Sequence, residues 1–148
     1  MKEILVPLDF SDVTVEVIEL ASLLARSLQA KLWLIHVGRP EPDFVGYEAG
    51  PQTVRDQMAS ELRDEHRRAQ QLAEKLRRSE LDVTALCPQG ATVKTILREA
   101  EKLDVDLILM GSHRHGAVYR ALFGSVSKGV LHKATCPVVI VPAEHESG

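Results

Sequence analysis

Aromatic side chains are scarce in this sequence, with three Phe, two Tyr and one Trp making up 4% of the residues. That argues against a platform for the bases of single-stranded nucleic acid, which needs rings in series. Basic blocks are missing too. Lys and Arg number 18 against 21 Asp and Glu, a formal charge of −3, so no broad surface for nucleic acid or an anionic membrane is expected. No apolar run approaches the roughly 20 residues of a membrane span. Met1-Lys2-Glu3 leads into an apolar segment far too short for the core and cleavage site of a secretory signal. The two cysteines, Cys87 and Cys136, lie far apart and resemble no disulfide framework. They read as reduced, buried residues, and a cytoplasmic location is the expectation.

The remainder is ordinary globular material. With 148 residues, 45% of them hydrophobic and 26% charged, the chain can bury a real core as one domain spanning residues 1–148. No internal repeat or low-complexity segment interrupts it.

Apolar periodicity divides the chain into alternating elements. Ile4 to Leu8 is a short β-branched run ended by Asp9, Phe10 and Ser11, the pattern of a buried strand. Ser11 is a candidate N-cap for a helix whose stripe runs Val13, Val17, Leu20, Leu24, Leu28. Lys31 to Val37 predicts the second strand. Residues Gly38 to Gln52 carry three prolines and three glycines, and they predict a flexible flap beside the ligand edge. A charge-dense helix follows from about Thr53 to Ser79, turning Met58, Leu62, Ala69, Ala73 and Leu76 inward. Asp82 to Cys87 is the third strand. Thr92 is placed to cap a third helix with Val93, Ile96, Leu97, Ala100 and Leu103 on its apolar side. Asp106 to Met110, a helix from about Ser125 to Lys133, and Val138 to Val141 complete the pattern. Strict alternation specifies an α/β doubly wound fold. Its five parallel strands are expected in the order 3-2-1-4-5, with helices on both faces. Ligands of such sheets sit outside the carboxyl ends of the strands, where strand order reverses. Here that is where the chain leaves strands one and four.

Chemistry-bearing residues are few at that edge. Gly111-Ser112-His113-Arg114-His115-Gly116, followed by Gly124-Ser125-Val126-Ser127 at the start of a helix, suits close backbone approach and an anion at a helix terminus. A plainer alternative stays open, in which Ser125 only caps the helix and Gly124 only permits the turn. His113 and His115 lack further metal ligands nearby and read as loop histidines. His36, in an apolar strand, reads as a satisfied core histidine. Neither a P-loop lysine signature nor a dinucleotide fingerprint is present, and no general base stands beside a nucleophile in sequence. Catalysis has little support.

Taken together, Ile4-Leu5-Val6-Pro7-Leu8-Asp9, Leu34-Ile35-His36-Val37, Leu107-Ile108-Leu109-Met110-Gly111-Ser112, Leu122-Phe123-Gly124-Ser125-Val126-Ser127 and Cys136-Pro137-Val138 resemble the universal stress protein family along essentially the whole chain. The ATP-binding branch of that family carries a glycine, two residues, a glycine, nine residues, then glycine and serine or threonine. Gly111 and Gly124-Ser125 match; Arg114 stands where the middle glycine would be, with Gly116 two positions on. Arg114 either obstructs the site or grips phosphate through its guanidinium. The resemblance implies an adenine-nucleotide-binding stress-response protein, taking ATP or a related nucleotide with Mg²⁺ as a companion, and at most slow hydrolysis. It implies that Pro7, Leu8 and Asp9 meet the adenosine end and Val37 the adenine edge. Met110 and Gly111 would then lie near ribose and phosphate, with Gly124, Ser125, Val126 and Ser127 cradling the phosphates. It also implies a homodimer through strand five, and a regulatory protein as partner. The alternative function is a dimeric interaction module that holds no nucleotide; an adenylyl- or phosphoryl-transfer enzyme is the third.

Overall fold

The computed structural model describes residues 2–10, 14–38, 52–112 and 124–142. Five strands and four helices alternate. They are β1 (Glu3–Pro7), α1 (Thr14–Leu28), β2 (Lys31–Ile35), α2 (Gln52–Arg78), β3 (Val83–Leu86), α3 (Thr92–Lys102), β4 (Leu107–Gly111), α4 (Ser125–Lys133) and β5 (Val138–Val141). All strand pairs are parallel, and the sheet order is β3-β2-β1-β4-β5, as the alternation predicts. Ser11, the proposed first cap, and the flap between Gly38 and Gln52 fall outside the described residues.

The period-two geometry of β1 shows how the layers separate. Ile4 and Val6 point to one face, where they pack with Val17, Ala21 and Ala25 of α1 and Ala69, Ala73 and Leu76 of α2. Leu5 points to the other, with Ile96 and Ala100 of α3 and Val130 of α4. Right-handed crossovers wind α1 and α2 outward on one side, and α3 and α4 on the other. The change of side falls between β1 and β4, which leaves a crevice at their carboxyl ends.

Local details depart from the sequence reading in instructive ways. The leucine stripe expected on α1 is displaced: Val17, Ala21, Ser22 and Ala25 are buried, Leu20 and Leu24 only flank the core, and Leu28 is 41% exposed. Small residues occupy the line of closest approach to the sheet, and the leucines straddle it. Thr92 does not cap α3. Ala91 holds the N-cap position in extended conformation, without a side-chain cap hydrogen bond, and Thr92 is the first helical residue. Cys87 and Cys136 are free, as expected, but only half-buried. Burial still pushes both thiols up from their ordinary range, and the Glu65 carboxylate adds to the effect on Cys87.

At 27 residues, α2 is about 40 Å long, far longer than a strand of four or five residues at ~3.3 Å each. Its buried Ala69, Ala73 and Leu76 lie in the second half. The first half is mostly exposed and outruns the sheet at its carboxyl edge, where Met58 and Leu62 are half-buried.

The opposite edge is pinned by Asp106. Its carboxylate accepts the backbone N–H groups of Lys2 and Glu3 at 2.8 and 2.9 Å, and these two bonds lower its pKa. Trp33 Nε1 donates to Glu3 nearby, with the Lys31 ammonium 4.2 Å from the indole centroid. No helix among the described residues is long and apolar enough to cross a membrane.

Candidate functional site

The crevice between β1 and β4 opens into a cavity of about 480 Å³, within the range of small-molecule sites. Each contributing element arrives there for a topological reason. Parallel strands all end at this edge, and each following helix starts there with the positive end of its dipole. Pro7, Leu8 and Asp9 enter from the end of β1, Val37 from the chain beyond β2, Met110 and Gly111 from β4, and Gly124 to Ser127 from α4. Every sequence-predicted site residue within the described segments therefore lines one space. Arg114 and Gly116 lie outside the described residues, as do His113 and His115.

The two ends of the cavity differ. Leu8, Ile35, Ile96 and Met110 are buried and form an apolar bed, while Asp9 is an exposed carboxylate at the rim. On the α4 side, Gly124 takes the N-cap position (φ −64°, ψ 163°) with no side-chain cap hydrogen bond. Ser125 is the first helical residue, so the reading of Ser125 as the cap is corrected. Gly124 therefore offers the amides of the first turn no side-chain acceptor at the positive end of the helix dipole. Ser127 also differs from expectation. It is buried, and its hydroxyl already donates to the Gly111 carbonyl at 3.1 Å, tying α4 to the end of β4. Ser125, exposed in the same wall, holds the accessible hydroxyl.

Sequence reasoning missed the contributions of α1 and α3. Thr14 and Val17, and Thr92 and Ile96, complete the wall with Ile35 and His36. The available signal was chain order, since α1 and α3 also begin at this edge. His36 is satisfied, as its strand position suggested. Its Nδ1 lies 2.9 Å from the Leu8 carbonyl oxygen, and its Nε2 lies 2.9 Å from Glu65 Oε2 on α2. It is nevertheless part of the cavity wall rather than the core. Among the described residues no cluster of three or more His, Cys, Asp or Glu side chains is placed to hold a metal ion.

Residues 1–142 match the model of the universal stress protein family. Universal stress protein YxiE of Bacillus subtilis is 30% identical over 144 residues, covering 94% of this chain and 97% of that protein. Among solved structures, the universal stress protein UspA from Lactobacillus plantarum superposes with a TM-score of 0.78 at 23% identity, covering 95% of this chain and 97% of that one. A universal stress protein from Archaeoglobus fulgidus gives 0.63 at 20% identity, covering 95% and 97%; at such identities the likeness is one of fold. The family match, the curated relative and the shared fold agree, and this chain belongs to the universal stress protein family.

Proposed function

We propose that the cavity binds an adenine nucleotide and that the protein acts as a ligand-responsive stress or regulatory factor, with little or no catalysis. The observation carrying this reading is the arrangement of one space, an apolar bed between a carboxylate rim at Asp9 and the uncapped start of α4. A base suits the bed, a ribose hydroxyl can donate to Asp9, and phosphate oxygens suit the backbone amides at a positive helix end that begins with glycine. The Archaeoglobus fulgidus structure was solved in complex with dAMP, and another universal stress protein structure in complex with cAMP. Those ligands support the same class of molecule for this chain. Binding without turnover fits His36, whose two ring nitrogens already face Leu8 and Glu65. It has no free nitrogen to take a proton from a cavity hydroxyl.

Calorimetric titration of ATP, AMP and adenosine tests the reading. Ser125→Ala removes one donor and should weaken the phosphorylated ligands by about 1 kcal/mol while sparing adenosine. Asp9→Ala should weaken all three alike. Arg114→Gly separates obstruction from phosphate contact by sign, strengthening ATP in the first case and weakening it in the second. No binding by either the parent or Arg114→Gly would leave the nucleotide-free interaction module as the function.

A further inference from the structure

Among the described residues, four in left-handed backbone conformation are not glycine. Gln29 directly follows α1, and Glu80 and Asp104 lie two positions past the ends of α2 and α3, where such a conformation ordinarily closes a helix. Phe10 (φ 58°) does not. It follows the end of β1, beside Asp9, and a bulky residue held there needs surroundings that impose the conformation. Those surroundings come from elsewhere in the chain. The His36 ring lies 5.0 Å from the Phe10 ring, tilted by 44°, and the Arg68 guanidinium of α2 sits 4.4 Å from the ring centroid. His36 in turn connects Glu65, one helical turn before Arg68, to the Leu8 carbonyl.

Proton counting defines that connection. The Leu8 carbonyl can only accept, so Nδ1 carries hydrogen and donates. Nε2 then faces a carboxylate oxygen at 2.9 Å, with one proton between them, carried by the imidazolium or by the carboxyl group. Two neighbouring turns of α2 thus grip both ends of the Leu8-Asp9-Phe10 corner, and Leu8, Asp9 and His36 all line the cavity.

We infer that Glu65 is a positioning residue for this site: through His36, and together with Arg68 on Phe10, it fixes the corner that presents Asp9 to the ligand. The outer helix α2 thereby sets affinity for the nucleoside end without touching the ligand. The binding part of this inference rests on the nucleotide reading above; the mechanical part stands without it.

The test uses Glu65→Ala, Glu65→Gln, Asp9→Ala and the double variant Asp9→Ala/Glu65→Ala. Gln keeps the link, because its amide N–H can donate to Nε2 of the neutral ring. In ligand-free protein, exchange of the Leu8 amide, which donates to the Ile35 carbonyl at 2.8 Å, should rise about tenfold in Glu65→Ala and stay near the parent rate in Glu65→Gln. Adenosine affinity should fall about tenfold in Glu65→Ala and at most about threefold in Glu65→Gln. The loss should vanish when Asp9 is already Ala, as it must if Glu65 acts through that residue. Unchanged exchange in Glu65→Ala, or an equal affinity loss with and without Asp9, overturns the inference. A parent that binds no adenine ligand refutes the nucleotide reading instead, and amide exchange then decides the positioning role alone.

Discussion

Gly129→Ala on α4 is a substitution whose sign depends on one neighbour. In an isolated helix the change should stabilise by about 1 kcal/mol, since glycine has the greater conformational freedom to lose. Here the added Cβ would lie 2.8 Å from Val93 Cγ2, 3.2 Å from Cγ1 and 3.5 Å from Cβ on α3. Carbon atoms prefer about 3.5–4.0 Å, and the branched valine side chain cannot swing its methyls clear as a long flexible one could. Overpacking of this kind costs about 1–3 kcal/mol. Set against the helix gain, the net is a loss of about 1 kcal/mol, which lowers Tm by about 2–4 °C in a chain of this size. In a Val93→Ala background the two crowding methyls are gone, and the same substitution should stabilise by about 0.5–1 kcal/mol. Urea unfolding of the four proteins in the cycle, with the slope held common, measures both values and a coupling of about 2 kcal/mol. A rise in stability on Gly129→Ala in the parent, or the same change in both backgrounds, would refute the reasoning. The contact matters to the site because α3 brings Thr92 and Ile96 to the cavity and α4 brings Ser125 to Ser127.

Other outcomes follow from features at both edges. Two backbone amides hold the Asp106 carboxyl below the ordinary carboxylate range. Its contribution is therefore complete above the unfolded value of about 3.9 and is lost as pH falls through the lower folded value. Asp106→Asn should flatten that acid limb in unfolding curves taken from pH 7 downward; an unchanged limb would count against the bond pair. The Cys87 thiol, pushed up by burial and then by Glu65, should alkylate more slowly than a free thiol at pH 8, and Glu65→Gln should speed it; mass spectrometry of timed samples reads both. Among the described residues β5 pairs with β4 on one side only, and it is half-buried along its length, so this edge suits pairing with a second copy. Sedimentation should give a dimer at micromolar concentration, and a stable monomer would remove that assembly.

The sheet was legible because buried parallel strands write themselves as unbroken apolar runs. Ile4 to Leu8 and Leu107 to Met110 are flanked by polar residues, and alternation with helices left few topologies. The site was legible to the extent that chain order alone puts Pro7 to Asp9, Gly111 and Gly124 to Ser127 at one edge. What sequence could not supply was distance between layers. Whether Leu20 or Ala21 of α1 meets the sheet depends on how closely the helix approaches, and the structure chose the alanine. Caps failed for a related reason. Thr92 and Ser125 have the right side chains, but Ala91 and Gly124 hold the extended backbone conformation that defines the position. A histidine in an apolar run implies a satisfied core side chain; His36 is satisfied, but it stands in the cavity wall and not in the core. Its partner Glu65 sits on the exposed, charge-rich part of α2, which no local pattern joins to a strand end.

The pairing of β1 with β4 also bears on how the molecule comes into being. Lys2 and Asp106, joined across it, are 104 positions apart, and closing so long a loop is entropically slower than forming the local β1-α1-β2 unit. The cavity lies across that closure, with Asp9 on the early side and Gly111 and α4 on the late side. A nascent or truncated chain that ends before β4 has half of each wall and no binding space. Any ligand of the cavity therefore selects the completed topology and adds RT ln(1 + [L]/Kd) to global stability. A ligand bound there would stabilise the whole molecule and not just one edge, and the population of opened chain exposed to proteases would then fall as that ligand's concentration rises.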